Sequence, residues 1–210
     1  MKMKTIILTL MVGLFISNHL KAQTDMQTIQ QHSQQVENYR EMRNEQLINP
    51  ATTPLTSSQI EKYTGLKYFS VEYKYRIIAQ FAPAAAQTKV SMRTTAGGKY
   101  ELVKYGTATF NYEGKSYALD VFVNNNLPEF QSGSQQLFIP ITDLTSGIET
   151  SATGRYVPVE AAANGSMVID FNLAFNPYNA YNSAIYSIIP PDSNNMSMLL
   201  DSGERKYEDR

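Results

Sequence analysis

Residues 167–191 read MVIDFNLAFNPYNAYNSAIYSIIPP, and the predicted fold is arranged around this stretch. Its first seven residues alternate between apolar and mostly polar side chains, and this period of two predicts a β-strand. Asn176-Pro177 is a turn signal, and a loop rich in tyrosine and asparagine continues to Pro190-Pro191. Because the strand presents Asp170 and Asn172 on its polar face, the loop that follows is a natural place for a site.

Short runs of aromatic and β-branched residues fill most of the chain between residues 67 and 160. Ala96-Gly97-Gly98 and Glu113-Gly114-Lys115 each separate two such runs and predict hairpins. Further strands are predicted over residues 69–81, 136–143, 148–150, 154–160 and 196–200. Many short strands, hairpin turns and few helices predict a mainly β domain, either an antiparallel sandwich or a partly open barrel, with a helix at its N-terminus.

That N-terminal helix is predicted from Asp25, which can cap it, to Leu47, with Asn49-Pro50 ending it. Its loose apolar stripe comprises Met26, Ile29, Val36, Tyr39 and Met42. Most other positions are charged or carry glutamine, so we expect a surface helix laid against the β domain. His32 lies in this polar segment and is expected to be solvated.

The first 22 residues have the layout of a secretory signal peptide. Residues 1–4 are cationic, residues 5–17 form an apolar run that is short for a membrane span, and Ala22 is the small residue at the expected cleavage position. An uncleaved membrane anchor is the alternative. We expect an exported protein, periplasmic or secreted, made of a signal peptide (1–22), an N-terminal helix and linker (23–56) and one β-rich domain (57–210).

Composition excludes several chemistries. The chain has 18 basic and 19 acidic residues, two histidines and no cysteine. Without cysteine there is no disulfide, thiol nucleophile or thiolate metal site. Cleavage after residue 22 would remove three lysines and no acid, which leaves an acidic chain with nothing to attract nucleic acid or an anionic membrane. We therefore expect a monomer with no metal and no cofactor, whose possible partner is a small polar ligand.

Two polar segments with glycine and proline follow the strands. The first is Asp143-Leu144-Thr145-Ser146-Gly147-Ile148-Glu149-Thr150, then Gly154-Arg155-Tyr156. The second is Asp170-Phe171-Asn172, then Asn176-Pro177-Tyr178, Pro190-Pro191, Asn194 and Gly203-Glu204. In this order and spacing they resemble the family known as domain of unknown function 1684, found in exported bacterial proteins. Thr53-Pro54-Leu55, Gly65-Leu66-Lys67-Tyr68-Phe69 and Lys104-Tyr105-Gly106 resemble its shorter, bacteroidete-type members. The resemblance implies no established activity.

The chain departs from that family's pattern at three positions. Relatives commonly have cysteines where this chain has Asn179 and Ser187, and an alanine where it has Ser202. If those cysteines form a disulfide or hold a metal in relatives, that role is absent here. The loop would then be held by hydrogen bonds and by packing of its tyrosines, or the site has degenerated in this member.

Four acids and one arginine lie beside the predicted loops: Asp143, Glu149, Asp170, Glu204 and Arg155. A carboxylate pair can act as general acid and base, and an arginine can grip a carboxylate or phosphate in a forked geometry. The structural alternative is that Arg155 forms an ion pair with Asp170 or Glu149 across adjacent strands. In that case Asp143 and Asn176 would cap turns through backbone amides.

The leading hypothesis is recognition of a small polar or anionic ligand at the ends of the strands. The residues expected to contact it are Arg155 as the anchor, with Asp170, Asn172, Asn176, Asn179, Tyr181 and Glu204. Whether the protein is an enzyme is left open. The enzymatic alternative is a hydrolase or lyase that uses two of Asp143, Glu149 and Asp170, and two carboxyls about 5 to 9.5 Å apart in an open cleft would favour it. A third alternative is a structural or interaction protein of the cell envelope, favoured by a filled centre and a broad apolar patch.

Overall fold

One antiparallel sheet of six strands forms the centre of the fold. The strands are β1 (Arg76–Arg93), β2 (Lys99–Tyr112), β3 (Lys115–Asn124), β4 (Gln136–Ile141), β5 (Arg155–Val159) and β6 (Ser166–Asp170). Their order across the sheet is β5-β4-β3-β2-β1-β6, and the sheet curls into a half-barrel. The mainly β class is confirmed, in the partly open form.

The computed structural model describes the backbone of residues 2–124, 127–130 and 136–208, and their side chains except at 2–24 and 87. The predicted signal peptide lies outside the residues described with side chains and stays a prediction. The helices are α1 (Lys2–Ile48) and α2 (Ser57–Glu61). Short 3-10 turns occupy Tyr73–Tyr75, Phe171–Leu173, Tyr178–Ala180 and Asp192–Asn194. Within the described part of the chain, no helix combines the length and apolar character that crossing a bilayer requires.

Both predicted hairpins are present. Arg93 faces Lys99 across the first turn. Tyr112 faces Lys115 across the second, which leaves a two-residue turn. Glu113 and Gly114 have φ of 49° and 78°, the left-handed pair that a type I′ turn requires and that matches the twist of the flanking strands.

Several predicted strand boundaries are wrong. The strand expected over residues 167–173 ends at Asp170, whose side chain accepts a hydrogen bond from Asn172 N at 3.0 Å and so begins a 3-10 turn. Residues 148 and 149 form a turn, Thr150 makes only an isolated bridge to Ser146, and residues 196–200 run alongside the sheet without forming a strand. The run over residues 69–81 becomes a strand only at Arg76. In each case local side-chain hydrogen bonds or turns replaced a strand that the alternating pattern favoured.

Apolar residues cover both faces of the sheet. The inner cluster includes the predicted face of β3 (Tyr117, Leu119, Val121 and Val123) and Leu137, Ile139 and Ile141 of β4. The second cluster, on the opposite face, is aromatic and comprises chiefly Phe122, Phe130, Phe138, Tyr156 and Phe175. A sheet buried on both sides needs covering elements, which here are α1 and the segments after β3 and β6.

The face that α1 buries differs from the predicted apolar stripe. Met26, Ile29 and Met42 are 61%, 45% and 37% exposed. The buried positions are His32, Val36, Arg40, Arg43 and Leu47, which follow one another at intervals of three or four residues and therefore share a face. Three of these five side chains are polar, because the domain offers them oxygen atoms as partners. The expectation that His32 is solvated is therefore wrong.

Candidate functional site

Arg155, at the start of β5, is fully buried. Its Nη2 donates to Asp143 Oδ2 at 2.9 Å and to Leu200 O at 3.1 Å, and its Nη1 donates to Ser202 O. Asp143 also accepts hydrogen bonds from Thr145 N and Oγ1 at 2.8 and 2.6 Å, so it caps its turn as expected. Burial lowers the pKa of Arg155, and the charge of Asp143 opposes that shift. This ion pair fastens the C-terminal segment to the sheet.

Asp170 has a different side-chain partner from Arg155. Its Oδ2 is 2.6 Å from His32 Nε2, and its Oδ1 accepts from Asn172 Nδ2 at 2.8 Å. Asn172 Oδ1 in turn accepts from Glu72 N and Ser202 Oγ, at 3.0 and 3.1 Å. Arg155 and Asp170 therefore do not pair directly. Ser202 links them, because its backbone O accepts from Arg155 and its Oγ donates to Asn172, which donates to Asp170.

Glu204, Asn176 and Tyr181 do come together. Glu204 is fully buried. Its Oε1 accepts from Asn176 Nδ2 at 2.7 Å and from Tyr181 Oη at 2.6 Å, and its Oε2 accepts from Asn176 N at 3.1 Å. Burial raises the pKa of Glu204, and these hydrogen bonds oppose the rise. The cluster ties the loop after β6 to the C-terminal segment and leaves no face of the carboxylate to solvent.

The loop at Asn179 and Ser187 is held by hydrogen bonds. Asn179 N donates to Ser187 Oγ at 3.1 Å, and Asn179 Nδ2 donates to Thr153 Oγ1 at 2.7 Å. Ser187 Oγ donates to Glu129 Oε1 at 2.9 Å. The two positions at which the resemblance expects cysteines are therefore in contact.

The candidate acids for an enzyme each have a partner. Asp143 pairs with Arg155, Asp170 with His32, and the half-buried Glu149 with Arg205 Nη2 at 3.4 Å. Among the described residues, no group of three or more His, Asp and Glu could hold a metal ion. This is the arrangement that we expect when such acids stabilise a fold.

A cavity of about 460 Å³ lies elsewhere, between α1 and the β4–β5 edge of the sheet. Its lining residues are Tyr39, Met42, Arg43, Gln46, Tyr105, Glu129, Phe130, Gln136, Leu137, Pro158, Val159, Glu160, Ala161 and Phe175. Nine of these fourteen side chains are aromatic or aliphatic, and the rest are two amides, two acids and one arginine. A mostly apolar concavity with a few polar groups is the usual form of a small-molecule site.

Two buried charged residues line this cavity. Arg43 is 3% exposed, and its guanidinium carbon lies 4.0 Å from the centre of the Phe175 ring. Glu129 is 2% exposed; its Oε1 accepts from Tyr178 N and Ser187 Oγ, and its Oε2 has no partner among the described residues. Burial raises the pKa of Glu129.

The family model described as a protein of unknown function (DUF1684) matches residues 61–205. The chain belongs to this family. The solution NMR structure of an uncharacterised protein from Haloarcula marismortui is similar to this chain, with a TM-score of 0.66 and 24% sequence identity over 85% of this chain and 96% of that one. At that identity the likeness shows the fold alone. No curated protein matches the chain.

Sequence reasoning missed several buried polar side chains of this DUF1684 protein, among them His32, Arg40, Arg43 and Glu129. For the first three the available signal was their spacing with Val36 and Leu47, which puts all five on one helical face. Glu129 gave no comparable signal, since it stands alone in a polar loop in the sequence. Its environment is created by residues 43, 178 and 187, which are distant along the chain.

Proposed function

We propose that the protein binds a small ligand with a largely apolar body in the cavity between α1 and strands β4 and β5. The observation that supports this is the cavity itself, whose volume of about 460 Å³ lies within the roughly 300–1,000 Å³ of small-molecule sites. The hypothesis of small-ligand recognition is kept, and its location changes, because Arg155, Asp170 and Glu204 are occupied by internal partners.

The position of the cavity also supports binding. The cavity is half open to solvent, so a ligand can enter it from outside. Here the gap separates two packed clusters, since Leu137 belongs to the inner cluster whereas Phe130 and Phe175 belong to the aromatic one. Apolar walls around such a gap lose contacts that a ligand of matching shape would restore.

We further propose that binding takes place outside the cytoplasm, in a monomer that contacts neither nucleic acid nor membrane after processing. The support is the layout of residues 1–22 and the acidic balance of the remainder. Fractionation of cells that express the full-length chain tests this: a shortened form in the periplasmic or secreted fraction is expected, and an unprocessed form in the cytoplasm would contradict it.

Binding is tested with N-phenyl-1-naphthylamine, a neutral apolar dye that fluoresces in apolar sites. Ala161 lines the cavity and is itself exposed, so Ala161→Trp narrows the site without disturbing the core. We expect the wild type to bind the dye and Ala161→Trp to weaken binding by at least about tenfold, the effect of roughly 1.4 kcal/mol.

The matched control is Ala86→Trp, at an exposed position of β1 that does not line the cavity. It should bind the dye as the wild type does. The three proteins are compared in the same processed or unprocessed form, so any dye bound outside the cavity is common to them. Equal binding by the wild type and Ala161→Trp, or none by the wild type, would contradict the proposal.

A further inference from the structure

Resting on this proposed function, we propose that Arg43 is the anchor of the cavity and grips a carboxylate, so that the ligand is an amphipathic carboxylic acid. The apolar body would lie against Phe130, Leu137 and Phe175. One head group would reach the guanidinium. Three observations carry this assignment: the unused donors of Arg43, its lack of an ion pair, and the placement of the nearby acids.

The unused donors lie on one edge of the guanidinium. Arg43 Nη1 donates to Gln46 Oε1 and to Glu129 O, both at 3.1 Å. Arg43 Nε is buried without a partner, as are the Nε atoms of Arg40 and Arg155. The hydrogen bonds of Arg43 to described residues both come from Nη1, which leaves Nη2 unused. Nε and Nη2 share the edge that binds a carboxylate side-on through two parallel hydrogen bonds. Nε is itself closed to solvent, so Nη2 is the donor through which Arg43 first meets a ligand in the cavity.

Arg43 also lacks the ionic partner that the other buried arginines of the described residues have. Arg155 pairs with Asp143 at 2.9 Å and Arg40 pairs with Glu37 at 3.1 Å. For Arg43 the nearest compensation is the face of the Phe175 ring and two neutral acceptors. Burying a cation without a pair is costly, and an incoming carboxylate would offset part of that cost.

Three acids oppose an anion here, and none contacts the open edge. Glu204 and Glu129 act on Arg43 only through longer-range attraction. Burial raises the pKa of both carboxyls, and the unpartnered Glu129 Oε2 is closed to solvent. Glu160 is exposed, so water and salt screen it. For a carboxylate to bind here, its direct hydrogen bonds to Arg43 must outweigh these repulsions.

The head group is tested by displacement of the dye with three probes that share one body: octanoate, 1-octanol and octylamine. In the wild type we expect octanoate to compete at a concentration roughly 10- to 100-fold lower than 1-octanol, the effect of one hydrogen-bonded charge. Octylamine should be the weakest. In Arg43→Met the advantage of octanoate over 1-octanol should disappear.

Arg40→Met is the matched control, because Arg40 is a buried arginine on the same helix that also donates to a backbone carbonyl and stacks on an aromatic ring, yet does not line the cavity. It should keep the preference for octanoate. Equal competition by octanoate and 1-octanol in the wild type would overturn the carboxylate assignment and leave the proposed function standing. No competition by any probe would overturn both. If Arg43→Met fails to fold, the wild-type series alone decides.

Discussion

His32 Nε2 lies 2.6 Å from Asp170 Oδ2, a contact between residues 138 positions apart that joins α1 to the end of β6. Arg40 Nη2 donates to Phe69 O at 2.9 Å and Arg43 Nη1 donates to Glu129 O at 3.1 Å. The helix is therefore held by polar contacts to three separate segments. Such contacts fix its rotation and position more specifically than an apolar stripe would, and they place Arg43 at the cavity.

Replacing His32 with alanine is expected to destabilise the protein by about 1.5–3 kcal/mol, because Asp170 would lose a buried partner. Urea denaturation followed by circular dichroism measures the change. Gln35→Ala, at an exposed position of the same helix, should change stability by less than about 0.5 kcal/mol. Equal effects of the two substitutions would show that the His32–Asp170 contact contributes nothing.

Arg155→Met is expected to cost about 3–5 kcal/mol, since it leaves the buried Asp143 carboxylate without its cation. The carbonyl groups of Leu200 and Ser202 would also lose a donor. Arg205→Met is the comparison, because the Arg205–Glu149 pair is largely exposed and such pairs contribute about 1 kcal/mol or less. If Arg155→Met unfolds at the same urea concentration as the wild type, the Arg155–Asp143 pair does not stabilise the fold.

The strands of this fold were predictable where their signal is local. Tyr117, Leu119, Val121 and Val123 alternate in the sequence and share the buried face of β3. The hairpin at Glu113-Gly114-Lys115 was equally predictable, because a short link with glycine between two strand-like runs marks a tight turn. The partners that close the sheet and cover its faces are not local, so sequence alone did not place them.

The site residues were partly predictable for the same reason. Asp143 caps its own turn through a neighbour two positions away, as expected. Asp170 was expected beside Arg155, but its side-chain partner is His32. The weak apolar pattern of the N-terminal helix had led us to expect His32 to be solvated. A sequence shows which charged side chains are available to form ion pairs. Which pairs form depends on the helices and strands that folding brings together.

The raised pKa of Glu129 should make the stability of the protein depend on pH. Burial raises the pKa of its carboxyl above the ordinary 4.5, although hydrogen bonds from Ser187 and Tyr178 oppose the rise. Between these two pKa values the folded protein keeps a proton that the unfolded chain has lost. The contribution of Glu129 to stability is thus fully present below pH 4.5 and is lost as the pH rises through the folded-state value.

Glu129→Gln removes this titration, so its free energy of unfolding should fall less steeply with pH over that window than that of the wild type. Urea denaturation at a series of pH values measures both slopes. Glu101→Gln, at an exposed position of β2, should keep the wild-type slope. If the free energy of unfolding changes with pH in the same way for the wild type and Glu129→Gln, Glu129 has the same pKa in the folded and unfolded protein.

The contact between Asn179 N and Ser187 Oγ at 3.1 Å predicts that cysteines at these two positions would form a disulfide. The oxidised double variant should be more stable than its reduced form by about 2–3 kcal/mol, because the bond restricts a short loop in the unfolded chain. Thiol titration counts the free cysteines, and thermal melts with and without reductant give the stabilisation.

In the reduced variant the hydrogen bonds to Thr153 and Glu129 are lost, so it should be less stable than the wild type. Asn179→Cys combined with Ser187→Ala cannot form the bond and should melt alike in both conditions. Two free thiols in the air-oxidised double variant would mean that the two backbones are farther apart than the hydrogen bond indicates.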